Sequence, residues 1–339
     1  MLELVNETRF AGALVPSLDR DGADRLSVVV RGTYTLDPGR QELRLADEQT
    51  PVLFADLHHG EPGASSVKLE ADNAPRKPGT DVVLIGAAHA QRGRVAAMDV
   101  SLRVGPLRKS VRVIGDRRWR RGFGGWRASD PEPFASLPLV WERAYGGADT
   151  TDDDPRKHGC EARNPVGTGY AAHGAAARLQ DLPLPNLERP GEEIRGWKDR
   201  PAPAGLGFVG RGWQPRVARA GTYDAAWQKS RAPLLPKDFD EAYYQGAPDD
   251  QVVAGHLHGG EPVELKGVSP DGPLAFALPA VRLETRAAIA GAWKEYPPVL
   301  DTVILEPDER RVVLIWRALV PCARRLLFVD AVRVREVRS

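Results

Sequence analysis

The chain has 339 residues, of which 42% are hydrophobic and 27% are charged, a composition typical of a globular protein with a substantial core. Its formal net charge of +1 excludes the strong basic field that nucleic-acid-binding domains carry, and it gives no attraction to an acidic membrane. Two cysteines are too few for a disulfide framework.

Sequence features that direct a chain to a membrane or out of the cell are not recognisable. The segment MLELVNETRF lacks the basic start and apolar run of a signal peptide. No stretch approaches the roughly 18 apolar residues of a membrane-spanning helix. We therefore expect a cytoplasmic protein that binds neither nucleic acid nor membrane.

Both ends of the chain predict β-structure. The β-branched run RLSVVVRGTYTL is followed, after a Pro-Gly turn, by ELRLA, which predicts a hairpin. Two more hairpins are predicted from VAAMDVSLRVG with KSVRVIGDRRW and from VLDTVILEP with RVVLIWRALV. A further strand is predicted within RRLLFVDAVRVREV.

The middle of the chain, from about Gly115 to Gly260, is crowded with glycine, proline and tryptophan. Helical periodicity is rare: ETRAAIAGAWKEY predicts one short helix, and residues 169–180 predict another. We expect a mainly β fold, in which sandwich- or barrel-like antiparallel sheets carry a long irregular centre. Residues 1–80 form a β segment integrated with the main domain, 81–280 a loop-rich core region, and 281–339 a hairpin and strand that complete the scaffold.

Two motifs raise the question of a ligand or a metal. GLGFVG matches G-x-G-x-x-G, but no strand enters it and no helix leaves it, so a glycine-rich turn is favoured over a nucleotide site. GHLHGGE places His256 and His258 on one face of an extended segment near Glu261. This set approaches the metal ligands of cupin β barrels, although the spacing is one residue short and no later histidine follows. A metal-dependent cupin-like enzyme using these residues is the alternative function, and exposed turn histidines are the structural interpretation.

Aromatic residues are concentrated in the irregular middle. Tryptophan, tyrosine and arginine are the usual anchors of protein interfaces. The same rings serve equally to pin down long loops, and in a sugar-binding module they would be stacking platforms. The candidate partner-binding residues are Trp141, Tyr145, Asn164, Tyr170, Trp213, Arg216, Tyr223 and Trp227.

An ordered series of segments resembles one bacterial family. It includes LPLVWERAYGG, NPVGTGY, PAGLGFVGRGWQPR and GTYDAAWQKSRAPLLPKDFDEAYYQGAPDDQ, and it runs from about Val82 to Pro279. The family was long catalogued as a domain of unknown function. Its genes lie in type VI secretion clusters, and its members act as adaptors or chaperones that load toxic effectors onto the VgrG–PAAR spike.

The resemblance implies a cytoplasmic, non-enzymatic binding protein without a cofactor, whose partners are a secreted effector and the VgrG or PAAR components. It carries over no catalytic residues. The motif positions that match are Glu142, Tyr145, Gly146, Gly147, Asn164, Pro165, Gly167, Gly169, Gly221, Thr222, Tyr223, Trp227 and Pro236. In NPVGTGY, proline fixes one backbone angle and the glycines permit positive φ values, so we expect a rigid turn and not a phosphate-binding loop.

Overall fold

In residues 2–172, 178–323 and 326–337, which the computed structural model describes, the chain is mainly β, as the sequence predicts. The strands are β1 (Glu3–Glu7), β2 (Ala11–Leu18), β3 (Asp24–Asp37), β4 (Glu42–Leu45), β5 (Leu57–His58), β6 (Val67–Leu69), β7 (Gly79–Leu84), β8 (Ala87–His89), β9 (Ala97–Val104), β10 (Leu107–Ile114), β11 (Trp119–Gly122), β12 (Gly125–Ala128), β13 (Ser136–Pro138), β14 (Tyr145–Gly146), β15 (Ala148–Asp149), β16 (Gly159–Cys160), β17 (Thr168–Gly169), β18 (Leu187–Glu188), β19 (Val252–Ala254), β20 (Pro262–Lys266), β21 (Leu274–Ala277), β22 (Leu283–Ile289), β23 (Ala292–Glu295), β24 (Val299–Glu306), β25 (Arg311–Pro321) and β26 (Val329–Glu336). The one α-helix in these residues, α1, spans Ala225–Ser230. Short 3₁₀ helices span Trp141–Arg143, Pro155–Lys157, Arg216–Ala220, Glu241–Tyr244, Asp249–Gln251 and Leu326–Phe328.

The largest sheet is built from both ends of the chain. Its strand order is β19-β7-β24-β25-β3-β2, and β4 adds to β3. β3 pairs with β25 over eleven residues, and β7 joins in parallel to β24. The three predicted hairpins, β3–β4, β9–β10 and β24–β25, are confirmed as antiparallel pairs.

The main core lies between this sheet and a five-stranded sheet of order β18-β10-β9-β20-β21. Because side chains alternate along a strand, Leu305 and Leu314 join the main core, together with Leu102 of β9. Their neighbours Ile304 and Val313 face a second core on the other side. The two sheets therefore pack face to face, in the manner of a sandwich.

A third sheet joins the N-terminal strand to the C-terminal strand. Its order is β1-β26-β22-β23, and β1 runs parallel to β26. Val332 of β26 and Ala287 of β22 pack against Leu26 and Val28 of β3 in a third core. Segments 1–80 and 281–339 thus contribute strands to the same two sheets.

The predicted helix over Glu284–Tyr296 is wrong, because this segment forms the β22–β23 hairpin. β22 also pairs with β26, and the buried Thr285 and Ala287 alternate with the exposed Arg286. Strand pairing overrides the helix propensity of the alanines. The other predicted helix, over 169–180, includes residues 173–177, which lie outside the described residues.

Candidate functional site

The loop NPVGTGY folds around Asn164, which is completely buried. Its side-chain amide donates hydrogen bonds to the carbonyl oxygens of Trp141 (2.8 Å) and Tyr145 (3.1 Å). The backbone carbonyl oxygen of Asn164 accepts from the backbone amide of Gly147 at 2.8 Å. We call residues 144–147 and 164–170 together the Asn164 assembly. One side chain thus supplies partners for backbone carbonyl groups that strand pairing leaves free.

Two glycines make this close approach possible. Gly147 has a φ of +93°, and a Cβ atom there would overlap the carbonyl oxygen of Gly167. A Cβ atom at Gly167 would overlap the side-chain amide of Asn164. In the short parallel pair β14–β17, Tyr145 lies opposite Thr168. Gly147 and Gly167 therefore serve packing, because the absence of a side chain lets the two loops approach each other closely.

Four of the eight candidate partner-binding residues are buried: Trp141, Tyr145, Asn164 and Arg216. Trp141 packs edge-on against Trp213, with ring centroids 5.7 Å apart. Burial raises the pKa of Tyr145 to about 12. Burial leaves these four side chains little surface of their own, and their role in partner binding stays a prediction.

The guanidinium group of Arg216 donates hydrogen bonds to three different residues. Its guanidinium donates to a carboxylate oxygen of Glu70 at 2.5 Å, to the carbonyl oxygen of Val209 at 2.6 Å and to that of Tyr243 at 2.8 Å. Its side chain is 4% exposed, and that of Glu70 is 6% exposed. Arg211, whose side chain is 39% exposed, donates to the same oxygen of Glu70 at 3.1 Å. Arg216 therefore ties the 3₁₀ helix that it begins to the rest of the molecule.

The other four candidates reach the surface to different degrees. Tyr223 is 52% exposed, and its ring lies 4.7 Å from that of Trp227 in an edge arrangement. Trp227 is half-buried, and its indole donates to the carbonyl oxygen of Leu234 at 2.8 Å. We call Tyr223 and Trp227 the aromatic platform. Asp224 caps α1 beneath it by accepting from the amide of Trp227. Tyr170 and Trp213 are half-buried.

A cleft of about 340 Å³ opens beside the Asn164 assembly. We call it the arginine cleft. Its charged lining residues are Arg163, Arg189, Arg216, Arg219, Asp249 and Asp250. The sequence did not reveal it, because these residues come from separate irregular segments that no periodicity connects. Arginine is no more frequent in the middle of the chain than in the rest of it, so composition gave no signal for the cleft either.

Lys109 lies buried behind the cleft. Its ammonium group donates to the carbonyl oxygen of Gly205 and to Asp250, each at 2.7 Å. Burial lowers the pKa of Lys109 to about 8, although Asp250 partly offsets this effect. The carbonyl oxygens of Gly205 and Gly207, both within GLGFVG, accept from Lys109 and Trp141. The predicted glycine-rich turn is wrong, because residues 205–210 form an irregular segment with one bend at Gly207 whose buried backbone is fixed by other contacts.

The pKa of Lys109 predicts a specific pH dependence of stability. Between about pH 8 and the unfolded value of 10.5, the unfolded chain holds a proton that the folded chain has released. Raising the pH through this window therefore favours the folded state, by about 3 kcal/mol in total. Urea unfolding across this window measures the effect. The free energy of unfolding of wild type should rise by that amount relative to that of Lys109→Met. Parallel pH curves for the two proteins would contradict the assigned pKa.

The residues of the alternative metal site make other contacts. The carboxylate of Glu261 accepts from the backbone amides of His258 (2.7 Å) and Gly259 (2.9 Å), which closes a turn. A ring nitrogen of His256 lies 3.0 Å from the carbonyl oxygen of Lys77. Within the described ranges, no three His, Cys, Asp or Glu residues are grouped so that they could hold a metal ion.

The sheets define a mainly β protein. Hydrogen bonds and close packing within the Asn164 assembly stabilise part of its irregular centre. The chain belongs to the bacterial family DUF2169, described as an uncharacterized protein conserved in bacteria, which matches residues 21–317. This confirms the predicted membership of a bacterial family of unknown function, whereas the link to type VI secretion stays a prediction. No curated protein and no solved structure matches the chain. In the part of the chain that the structure describes, helices fall short of the length and apolarity that a membrane crossing requires.

Proposed function

We propose that this chain is a non-enzymatic adaptor that acts in the cytoplasm, binds a type VI secretion effector and helps load it onto the VgrG–PAAR spike. The observation that carries the proposal is that some of the motif residues are buried while others are exposed. Asn164 and Tyr145 of the Asn164 assembly are buried, whereas Tyr223 of the aromatic platform is 52% exposed. Motif residues that fix a loop and others that present an aromatic surface fit a binding protein.

The chemistry of the platform suits a releasable complex. Tyr223 and Trp227 offer a large contact area from stiff side chains, so little conformational entropy is lost when a partner binds. Its surroundings are polar, since Thr222 donates to Asp238 at 2.7 Å beside the rings. An adaptor must hold its cargo and then give it up, and a moderate interface that is partly polar fits this cycle better than an obligate apolar one.

The test uses the effector encoded beside this gene, co-expressed with the chain and purified under mild conditions. Tyr223→Ser should weaken effector binding at least about tenfold, a typical loss for an exposed aromatic anchor. Trp293 is the matched control, because it is 51% exposed and lies on β23 of the third sheet, whereas Tyr223 lies in no strand. Trp293→Ser should bind the effector as wild type does, and calorimetry measures both affinities.

The opposite pattern would contradict the role given to the platform. If Trp293→Ser loses the effector and Tyr223→Ser keeps it, the binding face lies on the third sheet. Failure of wild type to form a near-stoichiometric complex with the effector, VgrG or PAAR would contradict the adaptor function itself.

A further inference from the structure

The arginine cleft has the properties of a receptor for a short peptide segment. Its apolar lining residues are Trp141, Ala202, Pro203, Val209, Pro215, Ala247 and Pro248. A volume of about 340 Å³ is small for a cofactor site and suits one or two apolar side chains. Prolines have no backbone N–H group, so these walls offer few main-chain donors to a client strand. Recognition here must rely on side chains.

The arginines at the cleft differ in how closely a carboxylate pairs with them. Arg163 and Arg219 each have a carboxylate partner at 2.7 Å, namely Glu161 and Asp249. Arg189 is different: its terminal nitrogen lies 3.6 Å from Asp250.

The carboxylate of Asp250 has a second cationic partner besides Arg189. Its other oxygen already accepts from the ammonium group of Lys109 at 2.7 Å. Moreover, the Nε atom of Arg189 is buried and has no hydrogen-bond partner. Two cations thus share one carboxylate, and Arg189, whose side chain is 38% exposed, has no closer carboxylate partner among the described residues. An arriving carboxylate would satisfy Arg189 in the bidentate geometry that guanidinium groups favour.

We infer that the arginine cleft binds a client segment in which a bulky apolar side chain is followed directly by a carboxylate. The apolar side chain enters between Trp141 and the prolines, and the carboxylate pairs with Arg189. The carboxylate is that of an Asp or Glu side chain within the segment. This inference rests on the proposed function, because it specifies what part of a client the adaptor recognises.

The test uses fluorescein-labelled peptides of sequence GSFEGS, capped at the C-terminus, and three relatives: GSFQGS, GSSEGS and GSF with a free carboxylate. Fluorescence polarisation should show wild type binding GSFEGS at least about fivefold more tightly than GSFQGS or GSSEGS. GSF with its free carboxylate should bind more weakly than GSFEGS, and tighter binding of GSF would overturn the assignment to an acidic side chain.

Two variants place the binding in the cleft. Ala202 lines the cleft and is half-buried, so Ala202→Phe should fill it and abolish peptide binding. Ala64 is exposed and does not line the cleft, and Ala64→Phe should bind as wild type does. Arg189→Gln should erase the preference for GSFEGS over GSFQGS while GSFQGS itself still binds. Thermal melting verifies that each variant is folded.

The outcomes separate this inference from the proposed function. Equal peptide binding by wild type and Ala202→Phe, or no peptide bound by wild type at about millimolar concentration, would overturn the cleft inference. Equal co-purification of the effector with wild type and Ala202→Phe would also overturn it, while the adaptor function stands. Peptide binding at the cleft without any effector complex of wild type would leave the cleft inference in place and overturn the adaptor function.

Discussion

Replacing Arg216 with alanine is expected to lower the free energy of unfolding by about 3–5 kcal/mol, the usual cost of breaking a buried ion pair. The change removes the contact with Glu70 and leaves the carbonyl oxygens of Val209 and Tyr243 without their donor. Buried acceptors without partners are costly because no water replaces the lost hydrogen bond. Urea unfolding, followed by tryptophan fluorescence, measures the loss.

Arg211 is the matched control, because it donates to the same carboxylate oxygen but is 39% exposed. Arg211→Ala should cost about 1 kcal/mol or less, since exposed ion pairs contribute little. If Arg216→Ala instead keeps its stability and loses the effector, Arg216 is a contact residue, as the sequence suggested. Loss of stability comparable to that of Arg211→Ala would contradict the structural role.

Gly147→Ala is the second change with a large expected effect. Its Cβ atom would overlap the carbonyl oxygen of Gly167, a backbone atom held within the Asn164 assembly. The assembly must open to relieve this clash, and we expect a loss of about 3 kcal/mol or more in unfolding free energy. The same change should also weaken effector binding, since the assembly supports the surface around it.

Gly191 is the control that distinguishes the effect of the steric clash on stability from the effect of a positive φ. Its φ of +87° is close to the +93° of Gly147, but no atom lies within 4 Å of the position that its Cβ would occupy. Gly191→Ala should therefore cost only the left-handed strain, about 1–2 kcal/mol. Equal losses in the two variants would show that close packing at Gly147 contributes nothing.

The sequence predicted the scaffold well because strand signals are local. The hairpins β3–β4 and β24–β25 follow from β-branched runs that are interrupted by short turn sequences. The hairpin β22–β23 was mistaken for a helix because its alternation is masked by alanines. Only the pairing of β22 with β26, which lies about forty residues further along the chain, reveals it as a strand.

The candidate site was harder to predict because exposure is a property of packing and not of residue type. Trp141 and Tyr223 belong to similar aromatic motifs, yet Trp141 is 5% exposed and Tyr223 is 52% exposed. Asn164 lies next to a turn at residues 165–166, as expected, but its burial follows from contacts with Trp141 and Tyr145, 23 and 19 residues earlier. The arginine cleft is assembled from such contacts alone.

Loading of the spike is the most direct measure of the central claim. VgrG–PAAR complexes would be purified from the source bacterium with this gene intact, deleted, and restored as wild type or as Tyr223→Ser. The account predicts that the effector is present in spikes from the intact strain, absent after deletion, restored by wild type and reduced with Tyr223→Ser. Effector present in equal amounts in spikes from the intact and deleted strains would contradict it.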